Sequence, residues 1–410
     1  MILYLHIGTE KTATTTIQHF LYHNRKALFD RGIALSDYLD KPANRRLAAY
    51  CMPEKSFDAY LVNKGITTID EKKRYFSSFA EEFHQEVESF CHNTEKMFIT
   101  SEHLYSRLFD IDSIRLLKKL LDEIFSEIKI ICYFREQSAV VKSLYSTMIK
   151  ISYNGSFESL LRDCDPGNPY YNYYDSFTKW RDVFGKEFLT PRIFSRDNLY
   201  EGDIRKDILQ IIDYPFDPNL YSYSINHKNR SLGLLGLELV RINNRVNKRR
   251  NKDGSGNHFR NRIAQIISES EFSQIGDLPF TSAPEIYKAF NESNLKFAKE
   301  FLDSYSNPFS PPDNNSSDMY TKIDSSDDPM LRGLFDFFEE LLIKIKRLPI
   351  LDNSYADTLK QIGLRIEKGE QLNLEDAKCL MEIAHLIRPE GPFINKWLKE
   401  YKQRLEKEEN

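Results

Sequence analysis

Long apolar runs are missing from this 410-residue chain. No segment approaches the roughly 20 apolar residues of a membrane-spanning helix. The amino terminus lacks a basic start, an apolar core of signal-peptide length and a small-residue cleavage site, so a cytoplasmic protein without a transmembrane segment is expected. Cysteine is scarce: five residues, at 51, 91, 132, 164 and 379, form no C-x-x-C pair and have no His partner at metal-ligand spacing. An odd, scattered set fits a reducing compartment better than a disulfide framework. Excess positive charge is missing too. A net charge of −4 gives no global attraction to nucleic acid or anionic membrane, so any anion site must be local.

What is present reads as an α/β protein. Residues 2–7 form a near-continuous apolar run ending at Gly8, the pattern of a buried strand flowing into a loop. Ile17, Phe20, Leu21, Ala27 and Leu28 then recur at helical spacing, and Gly32 stands where a helix would stop. Short apolar runs return at 96–100 (KMFIT) and 128–134 (IKIICYF), with helical periodicity at 112–126 and 136–150. A fourth patch, 188–194, carries Pro191, which suits an edge strand. In a parallel sheet, ligands bind at the carboxyl ends of the strands. The loops beginning at Gly8, Ser101 and Arg135 are therefore expected to converge on one crevice.

Residues 226–302 read as largely helical, interrupted by the basic segment NKRRNKDGSGNHFRNR at 247–262. The Ser-, Asp-, Asn- and Pro-rich stretch that follows reads as a linker over 303–329. About four amphipathic helices over 330–410 then predict a separate all-α domain, which would serve a protein partner or self-association.

The chemistry concentrates in HIGTEKTATTT, residues 6–16. Backbone N–H groups of a tight loop opening a helix make an anion site, strengthened by the helix dipole. Gly8 allows the turn, Lys11 brings a mobile charge, and Thr12, Thr14, Thr15 and Thr16 bring short hydroxyls. Thr9 and Ala13 complete the loop. The alternative is a Thr-capped helix after a strand. The stretch departs from the G-x-x-x-x-G-K-[ST] pattern, since Lys11 comes early and no Gly-Lys-Ser/Thr follows.

Gly-x-x-Lys-Thr-x-Thr-Thr after an amino-terminal strand resembles the 5′-phosphosulfate loop of sulfotransferases that use 3′-phosphoadenosine 5′-phosphosulfate (PAPS), especially the bacterial glycan-type group. That group usually has Gly where this chain has Ala13, which lacks glycine's freedom for positive φ. The second landmark of the resemblance is Arg135 after IICYF with Ser143 eight positions on. It implies that these two residues grip the donor's 3′-phosphate, a task suited to the planar Arg fork. A solvated strand-end Arg and a surface Ser are the plain alternative.

The resemblance further implies a three-layer, P-loop-like α/β fold over 1–302, with PAPS as co-substrate and PAP as product, and no metal. Lys11 would stabilise the oxygen departing from sulfur. Glu102, with His103 in reserve, would take the acceptor's proton; Glu102 as a first-turn residue of a helix capped by Ser101 is the competing reading. The acceptor would be a glycan or another hydroxyl- or amine-bearing molecule. Asn229 and Ser231 would sit near the nucleotide or cap the helix that follows Ser231. Apart from the resemblance, the basic segment around Lys248, Arg249, Arg250, Lys252, Arg260 and Arg262 reads either as a guide for an anionic glycan or as a solvated loop, and the tyrosines of 168–177 as stacking on sugars or packing beneath a loop. Two rivals share the strand-loop-helix opening: a metal-dependent phosphotransferase and a non-catalytic nucleotide-binding scaffold.

Overall fold

The computed structural model describes residues 1–224, 232–250, 256–278, 280–312, 338–339, 374–387 and 392–408. The readings at Asn229, Ser231 and Lys252, and most of those over 313–373, lie outside the described residues.

Five parallel strands, β1 (Ile2–Gly8), β2 (Ile33–Leu35), β3 (Lys96–Thr100), β4 (Glu127–Phe134) and β5 (Leu189–Ile193), form one sheet in the order β2-β3-β1-β4-β5. The three inner strands are the near-continuous apolar runs, because both of their faces are covered. Leu3, Leu5, Ile7, Met97, Ile99, Ile130 and Cys132 enter one core cluster, while Tyr4, Phe98, Ile131 and Tyr133 enter a second on the opposite face. β5 lies at an edge, where Pro191 costs no ladder hydrogen bond on its outer side. β2, three residues long, is an addition to the expected strands.

Helices cover both faces. Those that bear on the site are α1 (Thr14–His23), α2 (Glu102–Arg107), α3 (Gln137–Ile151), α4 (Tyr173–Phe184), α5 (Ile204–Ile212) and α6 (His258–Glu269). α1 and α5 contribute Ile17, Leu21, Ile208 and Ile212 to one core; α4 contributes Tyr173, Phe177 and Trp180 to the other. Gly32 ends the first helical stretch at φ +77°, a left-handed conformation that Gly adopts without strain.

The chain divides into two compact units, Met1–Asn244 with Arg249–Asp324, and Arg245–Lys248 with Ser325–Asn410. The stretch expected to be linker from 303 starts with packed residues: Phe309 is buried in the first core, and the Tyr287 hydroxyl donates to its carbonyl at 3.0 Å. In the second unit, two described helices, Leu374–Ile387 and Pro392–Glu408, lie against each other.

Candidate functional site

β1 pairs regularly with β4 up to His6, then slips by one residue so that Gly8 faces Cys132. Such a bulge re-aims the chain as it leaves the sheet. Gly8 has φ +119°, and a Cβ placed there would stand 3.1 Å from the Glu102 Cα. Glycine at this position thus lets the β1 loop and the start of α2 touch backbone to backbone. Thr9 N–H donates to the Tyr133 carbonyl at 2.8 Å, and the Thr12 hydroxyl donates to the Thr9 carbonyl at 2.6 Å. The Thr12 hydroxyl, expected to face a ligand, is instead spent inside the loop because its side chain is fully buried there.

Lys11 and Ala13 both take positive φ, +67° and +58°. Ala13 adopts the left-handed conformation that its side chain disfavours, at a cost of about 1 kcal/mol. It stands at the cap of α1 without a capping side chain, which leaves the first amides of the helix available to an anion. Thr14 and Thr15 face a cavity together with Lys11. Thr16 is half-buried on α1 and lines neither cavity described below.

Arg135 follows β4 and turns toward the loop: its guanidinium donates to the Lys11 carbonyl at 3.1 Å and lies 5.7 Å from the Phe194 ring centre. Its own carbonyl accepts from the Tyr173 hydroxyl at 2.6 Å. The two stretches singled out in the sequence therefore meet. α3 carries the next contact, since the Lys11 ammonium donates to Thr147 Oγ1 at 2.6 Å, and that hydroxyl donates to the Ser143 carbonyl at 3.2 Å. Burial chiefly lowers the Lys11 pKa from its ordinary value; Glu10 opposes this, and the charges of Arg135 and Lys150 add to it.

α2 begins at Glu102, and the Ser101 hydroxyl makes no capping bond. The Glu102 carboxylate accepts from Gln18 of α1 at 2.6 Å. His103 is largely buried, its pKa lowered mainly by that burial against the opposing charge of Glu102, so its ring is neutral at pH 7. Its Nδ1 makes no hydrogen bond among the described residues and stands 3.9 Å from Glu10 Oε1. Glu10 also accepts from the Tyr170 hydroxyl at 2.9 Å and lies 3.5 Å from Arg107.

The expected single crevice is two adjoining ones, because the Arg135–Lys11–Thr147 contacts tie the loop to α3. One cavity, about 520 Å³, is lined by Arg135, Lys142, Ser143, Ser146 and Asp277. The other, about 630 Å³, is lined by Lys11, Glu102, His103, Tyr170 and Tyr171. α3 contributes Ser143 and Ser146 to the first and Leu144, Thr147 and Met148 to the second. Of the tyrosines in 168–177, Tyr173 packs in the core while Tyr170 and Tyr171 reach the second cavity. Arg260, expected to meet an anionic glycan, is buried and bound to Asn244 Oδ1 at 2.6 Å and the Lys150 carbonyl at 3.0 Å.

Sequence reasoning passed over Glu10, Gln18 and Thr147. Gln18 carried a signal: it is a polar residue between Ile17 and Leu21 on an otherwise apolar helix face, and a buried amide needs a partner.

No family model matches the chain. Over 151 residues it is 28% identical to an uncharacterized protein of Archaeoglobus fulgidus, an alignment spanning 37% of this chain and 39% of that protein. The chain thus spans well under half the length of the curated relative it matches. Among solved structures, a crystal structure of a sulfotransferase from Alicyclobacillus acidocaldarius aligns with 53% of this chain and 87% of that one, at 14% identity and a TM-score of 0.31.

Proposed function

We propose that this protein is a sulfotransferase that moves the sulfuryl group of PAPS to a hydroxyl or amine of a glycan or glycoconjugate. The observation that supports the reading is the hydrogen bond from Arg135 to the Lys11 carbonyl, which joins the Arg proposed to grip the 3′-phosphate to the loop that carries Lys11. The first cavity suits a nucleotide bearing a 3′-phosphate: Arg135 and Lys142 are cations, Ser143 and Ser146 are short donors, and among its described lining residues the one carboxylate is Asp277. PAPS supplies an activated sulfuryl group when bound there with its phosphosulfate toward Lys11.

In the transfer, the acceptor oxygen or nitrogen bonds to sulfur as the bond from sulfur to the 5′-phosphate oxygen breaks. The electron pair stays on PAP and the acceptor's proton passes to the enzyme. Lys11, steadied by Thr147, faces the developing charge, and the open amides of α1 hold the rest without reorganising. Glu102 is the favoured base: Gln18 fixes one of its oxygens, and the carboxylate lines the cavity that the acceptor would enter. His103, neutral and adjacent, is the second candidate.

Two measurements test this. PAP is expected to raise the melting temperature where ATP with Mg²⁺ does not, and labelled sulfate is expected to pass from PAPS to a glycan acceptor. Stabilisation by ATP with Mg²⁺ in place of PAP would favour a phosphotransferase; stabilisation by PAP without transfer to any hydroxyl or amine would favour a binding protein.

A further inference from the structure

The first cavity, about 520 Å³, is built from two parts of the chain with different chemistry. Arg135 and α3 bring the groups suited to phosphate, among them Lys142 and Ser143. Residues 232–237 and 274–278 bring Leu232, Leu237, Leu278 and the carboxylate of Asp277. The Leu232 amide donates to Ser146 Oγ at 3.3 Å, which joins the two parts.

The amides of the second part are already engaged. Gly233 donates to the Ser273 carbonyl at 2.8 Å, Leu234 to that of Gly276 at 2.8 Å and Leu235 to that of Ile275 at 3.2 Å. They stand at the start of the helix Leu234–Val246, a place where free amides would seat a phosphate. Two glycines permit this approach: a Cβ on Gly233 would lie 2.6 Å from the Gln274 carbonyl carbon, and one on Gly236 would lie 2.5 Å from the Ser273 carbonyl oxygen. Residues 273–276 are thus clamped to the helix start, and Asp277 and Leu278 follow directly. The backbone that brings them to the cavity is held in place before a ligand arrives, which lowers the ordering cost of binding.

A carboxylate lining a site for a doubly phosphorylated nucleotide repels that ligand, unless it faces one of the ligand's own hydrogen-bond donors. Adenosine carries two such donors away from its phosphates, the 6-amino group of the base and the 2′-hydroxyl of the ribose. The three leucines offer apolar surface that suits a flat base better than a ribose, and Leu278 adjoins Asp277 in the chain. We infer that the Asp277 carboxylate accepts a hydrogen bond from the 6-amino group of the nucleotide's adenine, with Leu232, Leu237 and Leu278 packed against the ring. This assignment rests on the PAPS reading of the cavity and deepens it: Arg135 and Ser143 hold the 3′-phosphate, and Asp277 selects the base.

The test is a calorimetric titration of the full chain with the 3′,5′-bisphosphates of adenosine (PAP), purine riboside, 2′-deoxyadenosine and guanosine. Purine riboside lacks only the 6-amino group. PAP is expected to bind about tenfold or more tightly than the purine riboside probe, as one hydrogen bond to a charged acceptor requires. Asp277→Ala should bind these two probes within about threefold of each other, and should hold the purine riboside probe at least as tightly as the native protein does, because a repelling charge is gone. Asp277 is exposed, so its replacement leaves the core intact, and Asp277→Asn, which keeps an acceptor oxygen, should retain part of the preference for PAP. Equal native affinity for PAP and the purine riboside probe, an undiminished preference in Asp277→Ala, or a carboxylate effect that falls on the 2′-deoxy probe instead overturns the inference and leaves the sulfotransferase reading standing. A native protein that shows no PAP-induced thermal shift, or that binds the guanosine probe more tightly than PAP, overturns the reading itself and the inference with it.

Discussion

Replacing Gly8 by Ala tests whether the β1 loop must approach Glu102 as closely as it does. At φ +119° an L side chain costs about 1–3 kcal/mol in backbone strain. The new Cβ would stand 3.1 Å from the Glu102 Cα and 3.4 Å from its Cβ, so backbone must yield by a few tenths of an ångström, adding about 1 kcal/mol. The stiffer unfolded chain returns roughly 0.4–1 kcal/mol, which leaves a net loss of about 1–3.5 kcal/mol. Gly65 provides the reference: it has φ +77° but meets nothing within 4 Å, so Gly65→Ala should cost about 1 kcal/mol or less. Urea-unfolding midpoints of the two variants measure the difference. Because the contact is with the backbone of Glu102 itself, Gly8→Ala should also lower sulfate transfer at saturating substrate. If Gly8→Ala proves no more destabilising than Gly65→Ala, the close approach has no energetic weight and the reasoning fails.

Lys11→Ala should reduce kcat by about 100-fold or more while changing the PAP dissociation constant by less than tenfold; full turnover would remove Lys11 from the chemistry. His6 is fully buried and held to a pKa of about 3 by that burial. Below pH 6.5 the unfolded chain takes up a proton that the folded chain refuses, so stability is complete above pH 6.5 and falls toward pH 3, by up to about 1.4 kcal/mol per pH unit. Burial lowers the His103 pKa and adds to the trend in the same direction. Urea midpoints between pH 7 and 5 should therefore fall more steeply in the native protein than in His6→Gln; parallel curves would contradict the assignment. Asp207 is buried against Arg192, the Tyr133 hydroxyl at 2.7 Å and the Tyr200 amide at 2.8 Å. Asp207→Ala should cost about 3–5 kcal/mol by leaving a guanidinium and a hydroxyl unpaired, read from the same midpoints; a loss under about 1 kcal/mol would show that the ion pair contributes little.

The inner strands were readable because burial on both faces turns each into an apolar run bounded by polar residues. β2 was not: three residues give no period to detect, and its place beside β3 is fixed by the turn at Gly32 and the backbone of residues 95 and 96. At the site, Lys11, Glu102 and Arg135 stand at strand ends, where local pattern is enough to bring them forward. Glu10, Gln18 and Thr147 act across separations of 160, 84 and 136 residues, which no local period encodes. The positive φ of Ala13 runs against its residue type and is imposed by the packed loop. Arg260 belonged by composition to an exposed basic stretch, yet the amphipathic face of α6 turns it inward onto the end of α3.

The central claim is that Arg135 and Ser143 hold a phosphate on the ribose while the β1 loop holds the other end of the same nucleotide. Titrating PAP against AMP, which lacks only the 3′-phosphate, measures it directly. A charge-assisted Arg–phosphate pair contributes roughly 2–3 kcal/mol, so the native protein is predicted to bind PAP about 30- to 150-fold more tightly than AMP, and Arg135→Gln to bind the two within a few fold. Equal affinity of the native protein for PAP and AMP, or undiminished discrimination in Arg135→Gln, would contradict the account.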